Sequence, residues 1–520
     1  MKKHQKEHLQ SRRDFLRQSA CASLGVTGLV NMLAHMRLMT AAMAQGSSPA
    51  GGYKALVCVF LNGGNDSNNM LLPIGDPASD ELRSDYETAR GVLALDRTNC
   101  HALNIPATTK AFKKHFGASI PAMGVHPEAQ PLAELFNNGE LAFVCNAGTL
   151  SYPIATREEY RNDLVPVPPQ LFSHSDQQVQ WQSSIPDKPF TSGWGGRIAD
   201  LIHASYNTGS KVSMSVSLDG MNSFQIGTSG AVTQYAVTRS GALSLQGFGT
   251  NYASAYLDPT NPAAGYKTSD TGQRLKALER VMQLTHDNLL EEEYAKVYAR
   301  ARGAESVITA ATTAAAATGV DFDAKFASAD SRLGDQLKMV AQLIAGRSTL
   351  GNNRQIFFVQ VGGYDTHQVH LNSHGNLMAE LANALKAFRD TLADPAIAVF
   401  DDVTTFTASD FSRTFTPNGE DAATSGSDHA WGGHCITMGG SVNGGDLYGH
   451  FNPLKTGSNS GSFDSSSSRG RWIPDTSVDQ YAAVFANWLG VGSSELETIF
   501  PNLPRFDDPL SSSNANLGFL

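Results

Sequence analysis

The sequence predicts an α/β fold built on a mostly parallel central sheet, and three observations carry the prediction. The runs Lys54–Leu61 (KALVCVFL) and Gln355–Val361 (QIFFVQV) are nearly continuous in apolar residues, the composition of strands buried on both faces. Each is followed closely by a Gly-rich polar turn. Between the strand-like runs lie stretches with helical apolar spacing, the alternation of a layered α/β sheet.

Taken in order, Lys54–Leu61 is the first strand, and Asn62–Asn69 is the turn after it. Glu128–Asn137 reads as a helix broken by Asn138-Gly139, and Leu141–Cys145 as a second strand. Residues 205–265 alternate short strand-like segments, such as Lys211–Leu218, with Gly, Ser and Thr. Residues 270–317 are helical and close in an alanine-rich run. Together, about 205–320 reads as an insertion or cap over the sheet. In Arg332–Arg347, Leu333, Leu337, Val340, Ala341 and Ile344 share one helical face. After the strand Gln355–Val361, Leu377, Leu381, Leu385, Phe388 and Leu392 form another apolar stripe, which Asp394-Pro395 ends. Ala398–Ala408 and Cys435–Met438 are further strands. Gly457–Gly470 is a Ser/Gly loop, flexible by composition, and the tail 511–520 is expected to be disordered. No internal repeat is found.

The apolar fraction of 41% and charged fraction of 17% over 520 residues are those of an ordinary globular protein. The N-terminus stands apart. Ser11-Arg12-Arg13-Asp14-Phe15-Leu16-Arg17 matches a twin-arginine export signal, and a weakly apolar stretch then ends Ala42-Met43-Ala44, a cleavage signature. His35 and Arg37 make that stretch too polar to span a bilayer. Residues 1–44 are thus expected to be a leader, the twin-arginine translocase a partner during export, and the mature protein periplasmic or secreted. The leader carries seven Lys/Arg and two Asp/Glu, so without it the net charge of −10 becomes −15. That balance disfavours nucleic acid and anionic membranes as partners, and no later segment is apolar enough to span a bilayer. Outside the leader the cysteines are Cys58, Cys100, Cys145 and Cys435, too few for a disulfide scaffold. Cys58 and Cys145 lie in strand-like runs and read as buried free thiols.

The chemistry concentrates near the C-terminus. Gly362-Gly363-Tyr364-Asp365-Thr366-His367, Ser409-Asp410-Phe411-Ser412-Arg413-Thr414 and Asp428-His429-Ala430-Trp431-Gly432-Gly433-His434 pack Asp and His into short segments beside strands. Asp66 occupies the same place after the first strand. Carboxylate plus imidazole is the ligand set of Zn, Mn and similar divalent ions, with Ca and Mg on an oxygen-rich set. Ligand sites in open α/β sheets form beyond the strands' carboxyl ends. Asp66, Asp365, His367, Asp410, Asp428, His429 and His434 are therefore the candidate metal ligands. His370 and His374 are either supports for those ligands or ligands themselves. His174 reads as structural or substrate-facing. Ser67 is a candidate nucleophile or a helix cap, and Arg413 either clamps a substrate anion or holds its loop by an ion pair. The absence of a G-x-S-x-G elbow, a P-loop and a helix-opening G-x-G-x-x-G argues against an α/β-hydrolase triad and nucleotide binding.

With these residues on the page, the chain resembles an exported bacterial family, domain of unknown function 1501. The resemblance spans nearly the whole mature chain. It rests on Gly63-Gly64-Asn65-Asp66, on Leu171-Phe172-Ser173-His174 with Gln178 and Trp181, on Gly193-Trp194-Gly195-Gly196-Arg197, on the three segments above and on Gly439-Gly440. That family is distantly similar to the alkaline phosphatase and sulfatase superfamily. The similarity implies a three-layer α/β/α sandwich, one elaborated domain over 45–510. It also implies that Asp66 is the first metal aspartate, that Asp365 and His367 serve one metal, and that Asp410 begins an Asp-His pair completed by His429 or His434. Phe411 departs from the pattern, standing where the superfamily has His. The expected function is hydrolysis of a phosphate or sulfate ester, with a polysaccharide as a possible carrier. The alternative is a non-catalytic glycan-binding or envelope-assembly protein on the same scaffold.

Overall fold

Every residue of Lys54–Leu61 is buried except the first, as a strand must be when helices cover both faces of its sheet. The computed structural model describes residues 52–242, 252–258, 262–284, 288–459 and 461–520, and the expected leader lies outside them. In chain order the described strands are β1 Lys54–Leu61, β2 Leu71–Pro73, β3 His101–Ala102, β4 Met123–Val125, β5 Leu141–Gly148, β6 Ser215–Ser217, β7 Tyr235–Thr238, β8 Gly241–Ala242, β9 Arg354–Val361, β10 Val403–Ser409, β11 Gly433–Met438, β12 Leu447–Gly449 and β13 Thr476–Ser477. Ten of these form one sheet in the order β12-β5-β11-β10-β1-β9-β6-β7-β8, with β13 also on β5; β2, β4 and β3 form a small second sheet.

The central sheet is mixed, which corrects the expectation of a mostly parallel one. β7, β6, β9, β1 and β10 run parallel to one another. β11 is antiparallel to both β10 and β5, and β8 is antiparallel to β7. The reason is the connection. No helix is assigned between Ser409 and Gly433. The chain turns back at the sheet edge and re-enters beside β10 in the opposite direction. One consequence is functional: Leu61 pairs with both Ser409 and Val361, and Gly433 pairs with Ala147. The ends of β1, β9, β10 and β5 and the start of β11 therefore share one edge.

Alternation along the strands separates two cores. Ala55, Val57, Val59 and Leu61 face a cluster with the helices Gln130–Asn137, Arg332–Ala345 and His370–Leu392. Leu56, Cys58 and Phe60 face another with the helices Trp194–Tyr206 and Val478–Leu489. The expected strands and helices lie close to where the apolar spacing put them, except that the strand expected over Ala398–Ala408 begins only at Val403, after a 3-10 turn at Phe400–Asp402. Cys58 and Cys145 are buried free thiols, as read from their strands.

Three segments differ from expectation. Of the proposed cap, β6 pairs with β9 and β7 with β6, while helix Leu289–Ala316 packs on helix Arg332–Ala345. The segment widens the sheet and its helical layer in the described part. The tail 511–520 packs where disorder was expected. Leu517 and Phe519 are buried, and backbone amides of Asn443 and Gly449 donate to Phe519 and Asn516 carbonyls. Two apolar side chains at alternate positions are enough to seat an extended segment on a core. The Ser/Gly loop 457–470 closes around Asp464, a wholly buried carboxylate that accepts from the amides of Gly457, Ser466 and Arg471 and from the Ser466 hydroxyl. Among the described residues, no helix is long and apolar enough to cross a membrane.

Candidate metal centre

The turn after β1 is shaped by two glycines in the left-handed region, Gly63 at φ 116° and Gly64 at φ 90°. A Cβ on Gly63 would lie 2.4 Å from the Asp365 amide nitrogen, and one on Gly64 2.6 Å from the Phe411 ring. The turns after β1, β9 and β10 therefore touch, and only glycine permits it. The Gly63 amide donates to Asp410 Oδ1 at 3.2 Å, and its carbonyl accepts from Arg413 at 3.1 Å.

On this edge three imidazoles and one carboxylate converge. His429 Nε2 lies 2.9 Å from His367 Nε2, 3.1 Å from His174 Nε2 and 3.3 Å from Asp365 Oδ1. Asp365 Oδ1 is also 3.0 Å from His367 Nε2 and 3.5 Å from His174 Nε2. Tetrahedral zinc ligands at about 2.0–2.1 Å from the ion stand roughly 3.3 Å from one another, so this spacing fits a single ion. His174, Asp365 and His429 offer ligand atoms all within 4.8 Å of one another.

The other ring nitrogens fix the tautomers. His174 Nδ1 donates to Asp410 Oδ2 at 2.7 Å, His367 Nδ1 to Asp428 Oδ1 at 2.9 Å, and His429 Nδ1 to the Phe172 carbonyl at 2.8 Å. Ionised carboxylates and carbonyls only accept, so each Nδ1 carries the proton and each neutral ring aims a lone pair inward. Asp365 Oδ1 accepts from Arg413, whereas the inward lone pairs of neutral imidazoles cannot satisfy one another, and a divalent cation beside that oxygen would satisfy them. The side chains are 24–45% exposed, so the cluster is reachable from solvent.

Charge is arranged to match. Burial pushes the Asp365 carboxyl up, but Arg413, which donates to Oδ1 at 2.6 Å, and the nearby His367 and His174 outweigh it and hold the carboxyl below its ordinary value. At Asp428, burial is likewise outweighed by Arg469, His367 and Asn418. The hydrogen bond to Asp410 raises His174, whereas burial lowers His429.

The structure redistributes the candidate residues. Asp365, His367 and His429 stand in the cluster. Asp410 and Asp428 support it from behind, each spending its carboxylate on an imidazole Nδ1. Asp66 is elsewhere: fully buried, it pairs with Arg90 and with His370 Nε2 at 2.7 Å, and it caps the short helix Ser67–Met70. His434 faces inward along β11, accepting from the Asn146 amide at 3.2 Å and stacking on Phe451; burial lowers it to about 3. Ser67 is buried with its hydroxyl 3.0 Å from that of Ser412, beside a cavity of about 20 Å³ also lined by Phe411, Trp431 and His434. Arg413 is fully buried and spends its terminal nitrogens on Gly63, Asp365 and Ser427, so it braces Asp365, while its Nε is buried without a partner. His370 bridges Asp66 and the Thr366 hydroxyl, and His374 stacks on it and meets Asn65.

The residue that sequence reading placed outside the metal set is His174. His174 reaches the cluster from the start of helix His174–Ser183, with its ring 4.8 Å from that of Phe411. A signal existed. Gln178, four residues on and so on the same helical face, also donates to Asp410 Oδ2, at 2.9 Å. The Phe172 carbonyl reaches His429 because Phe172 holds φ 73°, a left-handed conformation uncommon outside glycine and concentrated at functional sites.

Fold and site together define an α/β protein with a His/Asp cluster at one edge of its sheet. Residues 53–462 match the model of the family described as "Protein of unknown function (DUF1501)", and the chain belongs to that family. A search of curated proteins gives no match.

Asp428→Ala separates a supporting role from a ligand role. Asp428 is partly exposed, so the fold should survive. Metal affinity should fall about 10–100-fold, the usual cost of losing a ligand's hydrogen-bond partner. Competition with a chromogenic chelator measures it; abolished binding would make Asp428 a ligand.

Proposed function

We propose that the protein is an exported metal-dependent hydrolase of phosphate or sulfate esters. His174, His367, His429 and Asp365 would hold one divalent ion. The observation that carries the reading is the convergence of His174, Asp365 and His429, whose ligand atoms lie within 4.8 Å of one another, with His367 Nε2 beside His429 and Asp365 and each imidazole held from behind by an oxygen acceptor. Similarity to the alkaline phosphatase and sulfatase superfamily supports the ester substrate, and the twin-arginine motif supports export to the periplasm or beyond.

When bound, the ion would supply Lewis acidity and lower the pKa of a coordinated water. The chain's own residues do the positioning. Asp410, Asp428 and the Phe172 carbonyl hold three protons at Nδ1. Arg413 fixes the Asp365 carboxylate. The Phe411 ring, 4.7 Å from His429 and 4.8 Å from His174, keeps both imidazoles from turning and closes one side of the cluster. Ser67, buried against Ser412, is not among the converging groups, so the reading relies on a water nucleophile.

A second reading, a non-catalytic binding protein with a structural ion, is favoured by one observation: His367 Nε2 stands 2.9 Å from His429 Nε2 and 3.0 Å from Asp365 Oδ1, where it would close the position that a catalytic site leaves open. A screen of aryl phosphates and aryl sulfates decides between them. The hydrolase reading expects turnover of one class that a chelator abolishes and added Zn or Mn restores. No turnover of either class by fully metal-loaded protein would favour the binding protein.

A further inference from the structure

The Ser/Gly loop 457–470 brings Arg469, and with it Arg471 just beyond the loop, to the rim of the centre, each joined to a different histidine through one intervening residue. Arg469 pairs with Asp428, whose other oxygen accepts from His367 Nδ1. The Arg471 guanidinium lies over the Phe172 ring, 4.3 Å from its centroid, and the Phe172 carbonyl accepts from His429 Nδ1. The platform is built. Arg471 is held at its backbone, its amide donating to buried Asp464 at 3.0 Å and its carbonyl accepting from Ser465 at 2.9 Å and 2.8 Å. Its side chain, by contrast, has no hydrogen bond or ion pair among the described residues, and its Nε is buried without a partner. Burial and the neighbouring Arg469 both lower the Arg471 pKa, with Asp428 acting the other way. A half-buried guanidinium stacked on an aromatic face, with its donors unspent, is arranged to receive a planar or tetrahedral oxyanion in two-point contact.

We propose that Arg471, with Arg469 beside it, is the anion-recognising element of this centre, and that the group presented to the histidines is a tetrahedral oxyanion. This rests on the hydrolase reading above and transfers the anion-holding role from Arg413, whose terminal nitrogens are consumed inside the protein. Both arginines lie beyond residues 53–462, the stretch that matches the family model.

The test is direct binding of inorganic phosphate and inorganic sulfate to the mature protein, by calorimetry, with and without added Zn. Wild type is compared with Arg471→Gln, Arg471→Lys and Arg469→Gln, and elemental analysis and a thermal melt are run on each. Arg471→Gln should weaken oxyanion binding at least about tenfold, the scale of one lost charge-assisted contact, with metal content and melting unchanged. Arg471→Lys should recover only part, because an ammonium cannot make the two-point contact. Which anion binds more tightly identifies the ester class. Equal affinity of Arg471→Gln and wild type, or no binding of either anion by wild type, overturns the proposal. Arginine-dependent oxyanion binding in a protein that takes up no metal would uphold it while removing the metal-centred reading, so the two failures are told apart.

Discussion

Replacing His174 with Ala is expected to abolish tight metal binding while leaving the fold in place. The ring is 30% exposed and sits on the first turn of its helix, so truncation opens little core. It removes one of four inward donors and also leaves the fully buried Asp410 carboxylate without the imidazole at 2.7 Å. Asp410 keeps Gln178 and the Gly63 amide as donors, which limits the structural cost. Loss of a direct ligand should exceed the 10–100-fold expected for Asp428→Ala. Chelator competition, run beside far-UV circular dichroism, measures both halves of the expectation. A His174→Ala protein that binds metal as tightly as wild type would remove this residue from the centre.

Asp66→Ala is expected to act on stability first. Asp66 and Arg90 form an ion pair with both side chains 0% exposed. Arg90 also donates to Asn69 Oδ1 and to the Thr414 and Phe415 carbonyls, so it ties the turn after β1 to the segment after β10. Burial and the neighbouring Arg413 lower its pKa to about 9. Removing the carboxylate leaves a buried, uncompensated guanidinium and deprives His370 of its acceptor. Breaking one side of a buried pair costs about 3–5 kcal/mol, a large share of a domain's stability. Urea unfolding should show that loss, with metal affinity changed only as far as the Asp365–His367 turn loosens. Full stability with lost metal would return Asp66 to the ligand set.

These two residues show what was legible in one dimension. Strands with continuous apolar runs announce themselves, so β1, β9 and the edge they share could be placed, and with them Asp365 and His367. The Asp428–His429 segment was visible as a ligand-dense loop. Choosing His429 over His434 needed the alternation of β11, which turns His434 toward Phe451 and the core. Asp66 looked like a ligand because it follows a strand. That it is spent on Arg90 depends on a helix (Glu81–Arg90) 24 residues along the chain. His174 carried only Gln178, one helical turn on, as a local mark, because Asp410, which holds its ring, and His429 in the cluster lie 236 and 255 residues away. The Ser/Gly loop and the tail looked mobile by composition, yet Asp464 in one, and Leu517 and Phe519 in the other, supply the few contacts that hold them. Sparse anchors of this kind leave almost no trace in composition.

The most direct test of the centre is elemental analysis of the mature protein, purified without chelator or an affinity metal, alongside His174→Ala and His434→Ala. The account predicts one equivalent of a divalent ion in wild type, kept in His434→Ala if that protein folds and lost in folded His174→Ala. Metal-free wild type that takes up none on titration, or an ion retained in His174→Ala, would contradict it.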